Sequence, residues 1–104
     1  MPSPFEQLFD ISPFPAVISR LRDNSVIAIN KRNSEMFGIS HAEAVGQTTT
    51  NYYANVEHRQ RLREPLEKTG QADDVLLHLR KPNGETFWAR ASARMITWTT
   101  SPRS

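Results

Sequence analysis

The sequence predicts an α+β domain built on a single antiparallel sheet. Two observations support this prediction: runs rich in β-branched and aromatic residues lie near both ends of the chain, and short helical patterns lie between them. With 104 residues and 38% hydrophobic content, the chain can form one modest core. We therefore predict an N-terminal amphipathic helix at 1–10, one folded domain at 11–98 and a flexible tail at 99–104.

The first third of the chain predicts a helix followed by a β-hairpin. Phe5, Leu8 and Phe9 recur at helical spacing, and two prolines shortly after them prevent the helix from continuing. The apolar runs AVIS and VIAI then flank the turn-forming residues at 23–25. These runs are expected to pair as antiparallel strands.

The middle of the chain is punctuated by helix start and stop signals. The side chain of Asn30 can cap one helix, which Gly38 can end in the left-handed conformation. Ser40 and Glu43 have the spacing of a capping box and begin a second helix. Several short helices are therefore expected where one long helix could have formed.

The last part predicts a longer helix and a second hairpin. Leu62 and Leu66 lie four residues apart in a helical segment that Gly70 ends. Two long apolar strands follow, joined at Asn83-Gly84, a strong hairpin signal.

The ordered set of these signals resembles a PAS domain. The resemblance rests on SPFPAVISRLRDNSVIAINKRNSEMFGISHAEAVGQ, then HRQRLREPLEKTG and LRKPNGETFWARASAR. It implies short helices on one face of a five-stranded sheet, enclosing a space of ligand size. It also implies that the fifth, central strand is missing from this chain. Either the sequence stops before this strand, or the first strand pairs directly with the fourth, or a strand from another chain enters between them.

Strand alternation predicts which residues face the core. If Phe87 points inward, a row of three alanines at positions 89, 91 and 93 does so too. Bulky helix residues could fill the space above this row, or a small apolar or aromatic ligand could occupy it, oriented by Asn30 or Tyr52. The candidate ligand contacts are Asn30, Phe37, Tyr52, Leu62, Leu66, Leu77, Ala89, Ala91 and Ala93.

The cofactor is not identified by the sequence. Because the chain has no cysteine, a covalent flavin adduct and a thioester-linked chromophore are excluded. Comparison with haem-binding PAS domains puts Leu62 where one such ligand histidine would lie, so we expect no haem. His58, one turn earlier at the helix start, is expected to be exposed or to cap the helix.

The resemblance implies a sensory and regulatory module that binds a small molecule in its core. It would signal as a homodimer to an output domain such as a kinase or diguanylate cyclase, in two-component or cyclic-dinucleotide signalling. The alternative is a ligand-free PAS domain that serves as a dimerisation scaffold. In either case the outer face of the sheet, with Leu76, Trp88 and several cations, is the expected contact surface for an N-terminal helix, from the same chain or from a neighbouring one.

Amino-acid composition and the spacing of polar residues argue against several other classes of function. Thirteen Lys and Arg are interspersed with eleven Asp and Glu, so we expect no nucleic-acid partner. No apolar run is long enough for a membrane span, and a cytoplasmic location is expected. The three histidines show no metal-ligand spacing, and no catalytic set is apparent, so we expect no metal site and no enzyme activity.

Overall fold

The computed structural model describes residues 4–95, with side chains from Gln7 onward. Its helices and strands follow in the order α1 (Pro4–Ile11), β1 (Val17–Ser19), β2 (Val26–Ile29), α2 (Lys31–Phe37), α3 (His41–Ala44), α4 (Arg59–Thr69), β3 (Gln71–Arg80) and β4 (Thr86–Arg94). Two short 3-10 helices, Thr49–Tyr52 and Val56–His58, connect α3 to α4. The predicted tail at 99–104, Trp98 and the side chain of Phe5 lie outside this description.

Local capping explains why the helices between the two hairpins are short. Asn30 caps α2 by accepting the Asn33 N–H, and Gly38 ends it at a φ of 70° with its N–H on the Ser34 carbonyl. Ser40 and Glu43 form the predicted capping box at the start of α3. These predicted signals are all present in the structure.

Both predicted hairpins form. In the first, β1 and β2 are antiparallel, and the Asp23 carboxylate accepts the Ser25 N–H within the turn. In the second, β3 and β4 pair antiparallel along most of their length, and Gly84 takes a φ of 96° in the turn between them.

The four strands confirm the α+β fold and form two antiparallel pairs, β1 with β2 and β3 with β4. In residues 4–95 no strand joins the two pairs, and direct pairing of β1 with β4, one of the predicted alternatives, does not occur. The far edge of β2 is covered by residues 46–48, and the far edge of β3 by residues 53–58. One edge each of β1 and β4 therefore lacks a strand partner in the part of the chain described.

The core is small and is divided between two halves of the molecule. The first half contains α1 to α3 with the first hairpin, and the second half contains α4 with the second hairpin. Val26, Ile29 and Ala44 are buried together in the first half, with Ile39 packed against them. The remaining buried apolar residues are Phe37, Tyr53, Ala72 and Leu77.

A polar clamp links the two halves. From α4, Arg63 Nη1 donates to the Leu21 carbonyl at 2.7 Å, and Arg63 Nε donates to Glu67 Oε2 at 2.9 Å. Arg63 therefore connects the turn of the first hairpin to α4, the helix that packs on the second hairpin.

The length and hydropathy of the helices decide whether any of them could span a membrane. None of the helices between residues 4 and 95 combines the length and the hydropathy needed to cross a bilayer.

Candidate functional site

The inner face of the second hairpin forms the floor of the candidate site. Three pairs of facing residues, Val75 with Ala91, Leu77 with Ala89 and Leu79 with Phe87, define it. Along β4 the exposed and partly buried residues alternate without interruption, with the alanine row and Phe87 on the more buried side. The alternation predicted for this strand is therefore present, and Leu77 is buried beside the row.

Helix α4 covers the inner face incompletely. Leu62 and Leu66 are only partly buried, and none of the residues of α4 is fully buried. Ala89, Ala91 and Ala93 also remain partly exposed. The two leucines and the alanine row are thus partly accessible, and we call the region between them the inner cleft.

Aromatic rings close one end of the inner cleft. The Phe37 ring, only 8% exposed, lies edge-on to the rings of Tyr52 and Phe87, with both centroid distances 5.5 Å. The Tyr52 hydroxyl donates to Gln47 Oε1 at 3.1 Å. Burial, and secondly the Glu43 carboxylate, raises the pKa of Tyr52, so this hydroxyl stays a hydrogen-bond donor at neutral pH.

Asn30 lies apart from this cleft, at the junction of α2 with the N-terminal segment. Its Oδ1 accepts the N–H groups of Ala16 and Asn33, and its Nδ2 donates to the carbonyls of Phe9 and Phe14. Two accepted and two donated bonds use the full capacity of a side-chain amide. All hydrogen-bonding positions of the Asn30 side chain are therefore used by backbone groups, and none is left to orient a ligand.

Two surface grooves, distinct from the inner cleft, lie near α1. One, of about 420 Å³, is lined by residues including Asp10, Lys31 and Glu35. The other, of about 350 Å³, lies between α1 and β2 and is lined in part by Phe9 and Ile11. Neither groove includes any predicted ligand contact other than Asn30.

Two histidines and a tryptophan form a cluster at the edge of the second hairpin. The His78 and Trp88 rings stack at 4.4 Å, and the centroid of His58 lies 5.8 Å from that of Trp88. His58 is 6% exposed, and its Nδ1 accepts the His78 N–H at 3.1 Å. The expectation that His58 is exposed or caps the helix is therefore wrong, because its ring covers the edge of β3.

Protonation of His58 should destabilise the fold. Burial is the main cause that lowers its pKa below the ordinary 6.5, Arg61 and His78 add to this effect, and Glu57 opposes it. The folded protein thus binds this proton less tightly than the unfolded chain. We expect the contribution of His58 to be complete above about pH 6.5 and to fall as the pH drops below that value.

Urea unfolding between pH 5 and pH 8 measures this effect. His58→Gln should flatten the stability profile below pH 6.5, whereas His41→Gln, a change at an exposed histidine, should leave it as in the wild type. A profile that His58→Gln leaves unchanged would contradict the assignment.

Comparison with known proteins complements this geometry. A family model described as "PAS domain" matches residues 13–103. No curated protein matches the sequence significantly. Solved structures do match, with identities of 20% or less among those described next, so the likeness concerns the fold.

Three of these structures illustrate the range. The PAS domain of a protein from Colwellia psychrerythraea matches with a TM-score of 0.79 and 20% identity, over 90% of this chain and 80% of its own. The PAS domain of a LuxR-family transcriptional regulator from Burkholderia thailandensis, solved in complex with ethanol, matches with a TM-score of 0.71 and 17% identity, over 86% and 80%. The LOV domain of the blue-light activated histidine kinase EL346 from Erythrobacter litoralis matches with a TM-score of 0.65 and 20% identity, over 76% of each chain.

Proposed function

Because the chain belongs to the PAS domain family, whose members are generally sensory or regulatory modules of signalling proteins, we propose that its inner cleft receives a small molecule. Binding would change how the module engages an output domain. Solved structures of this fold come from a histidine kinase and a transcriptional regulator, which supports an effector of either kind as the output domain. A diguanylate cyclase is the other output domain that we propose. We place the module in the cytoplasm, where such effectors act.

One observation supports ligand binding above the others: the alanine row is only partly covered, although it lies on the core side of β4. Because these three methyl groups remain partly exposed, the domain buries less apolar surface than it could. The core is small, so this loss of burial matters for stability. An apolar molecule seated on the row would recover that burial and would be held between β4 and Leu62 and Leu66 of α4.

Filling the cleft with protein atoms tests this proposal. Native mass spectrometry of the purified protein would first show whether a molecule is carried along, and that molecule would serve as the ligand. Ala91→Leu and Ala93→Leu should each abolish ligand-induced thermal stabilisation, because the larger side chain occupies the floor of the cleft. Each should cost about 1–3 kcal/mol where it is overpacked against α4.

The matched control is Ala42→Leu, which adds the same atoms at an exposed position on α3. It should leave stabilisation by the ligand unchanged. Normal ligand-induced stabilisation in both β4 variants would place the binding site elsewhere.

A second candidate function, dimerisation without a ligand, is favoured by a different observation. Leu8 and Ile11 of α1 are 66% and 73% exposed, although the helix is anchored through the Phe9 carbonyl to Asn30 and through Asp10 to the Lys31 N–H. A short amphipathic helix that keeps apolar residues in water is suited to packing on a second copy. A homodimer through α1 is compatible with both candidate functions.

Changing the exposed face of α1 tests the homodimer. The double variant Leu8→Ser, Ile11→Ser should weaken self-association measured by sedimentation over a concentration series, because it removes apolar contact area. It preserves the backbone bond to Asn30, so the fold should persist. Val56→Ser, at another exposed apolar residue, is the control. An unchanged sedimentation profile in the double variant would rule out this interface.

A further inference from the structure

Two cationic side chains share one face of α4 with Leu62 and Leu66. Arg59, Leu62, Arg63 and Leu66 recur at spacings of three and four residues, which places them on one helix face. All four are partly buried. Of the residues between them, Gln60, Arg61 and Glu64 are exposed and Pro65 is partly buried. The face of α4 that borders the inner cleft therefore carries two guanidinium groups as well as apolar surface.

The two guanidinium groups differ in how they are satisfied. Arg63 donates to the Leu21 carbonyl and to Glu67, as described above. The Nε of Arg59 is fully buried and meets no acceptor in the described part of the chain, and no carboxylate there forms an ion pair with this residue. A buried donor without a partner destabilises a fold, and more strongly when the group is charged. An acceptor for this donor would have to come from beyond the described residues, from water or from a ligand.

Arg59 begins α4 directly after residues 53–58, which cover the edge of β3 beside Leu79. Its positive charge acts on Tyr53, where it opposes the larger effect of burial, which raises the pKa of that phenol. Tyr53 in turn pairs with Leu79, which faces Phe87 across the hairpin. From that point the alanine row extends along β4, and Ala89 to Ala93 span roughly 13 Å at 3.3 Å per residue.

We propose that the inner cleft takes a small amphiphilic anion, with its carboxylate or phosphate on Arg59 and its apolar body along the alanine row. The inference rests on the proposed function and narrows its ligand class. An oxyanion would supply the acceptor that Arg59 Nε lacks, and a charge-assisted bond to a guanidinium is among the stronger hydrogen bonds in proteins. An alkyl or flat aromatic body would cover the methyl groups that α4 leaves exposed.

Matched probes that differ only in charge test the inference. Octanoate, octyl phosphate and octanol are titrated into the wild-type protein by calorimetry. Both anions should bind more tightly than octanol, and the tighter of the two identifies the headgroup. Arg59→Gln should weaken anion binding roughly tenfold to hundredfold while leaving octanol binding unchanged. Arg80→Gln, at an exposed arginine on β3, should affect none of the three probes.

Thermal unfolding without any probe separates a ligand role from a structural role. Because Arg59 Nε has no acceptor in the described fold, Arg59→Gln should melt at the same temperature as the wild type or higher. A lower melting temperature would assign Arg59 to the fold and overturn the proposal.

The remaining outcomes separate the inference from the proposed function. Equal binding of octanol and both anions, unaffected by Arg59→Gln, would overturn the anionic ligand class and leave ligand binding in the cleft intact. Failure of both anions to bind at millimolar concentration would overturn the inference. In that case native mass spectrometry and the Ala91→Leu variant would decide separately whether the cleft binds anything.

Discussion

Replacing Asn30 with alanine should lower the free energy of unfolding by about 3 kcal/mol or more. The side chain is 1% exposed and holds four backbone groups at once, two in the N-terminal segment, one in Ala16 and one at the start of α2. Alanine removes the helix cap, worth roughly 1 kcal/mol, and leaves the other groups buried or half-buried without a partner. Chemical denaturation would measure the loss.

Asn30→Asp is the informative control for this prediction. A carboxylate keeps the acceptor for the Ala16 and Asn33 N–H groups but places negative charge beside the Phe9 and Phe14 carbonyls, where the amide donated. We expect the α2 cap to survive and α1 to loosen, seen as faster amide exchange in residues 7–11 than in α2. A loss below 1 kcal/mol in the alanine variant would show that Asn30 is not the anchor.

Replacing Phe37 with alanine should cost about 3 kcal/mol and uncouple the two halves of the domain. Large-to-small changes at buried phenylalanines commonly cost 3–5 kcal/mol, and the slight exposure of Phe37 places it at the low end. Its ring is the contact through which α2 reaches both Tyr52 and Phe87. We expect the urea midpoint, followed by tryptophan fluorescence, to fall and the transition to broaden.

Two variants bracket the Phe37 result. Phe37→Leu retains most of the apolar burial and loses the two ring pairs, so about 1–2 kcal/mol is expected. Phe14→Ala removes a ring that is 72% exposed and should change stability by less than about 0.5 kcal/mol. If Phe37→Ala proved as mild as Phe14→Ala, the aromatic contact would not hold the halves together.

The sequence predicts the features of this fold that depend on neighbouring residues. The cap at Asn30, the capping box at Ser40 and the turn at Gly84 each need only a few adjacent residues, and all are present. The stacking of His78 on Trp88 could also have been predicted, because the turn position fixes which residues face each other across the hairpin.

Features that depend on distant contacts were not predicted. Asn30 was expected to face a ligand, since an unpaired amide near the core is a plausible polar contact, and only the path of residues 9–16 past α2 shows its four partners. His58 likewise becomes buried because residues 53–58 close the edge of β3. The sequence does not distinguish Arg59 from a solvated arginine, because its burial at the start of α4 depends on how that helix packs.

The edges of β1 and β4 that have no strand partner among residues 4–95 also have a consequence for solubility. A free strand edge offers its N–H and C=O groups to the edge of any other molecule, which favours precipitation in concentrated solution. At β1 this risk is limited, because the strand has three residues and follows two prolines. At β4, nine residues long, the deterrents are Arg90 and Arg94 on its outer face. Solubility should therefore depend on the charge of that strand more than on melting temperature, and sulfate, which favours burial of surface, should lower the concentration at which solutions turn cloudy.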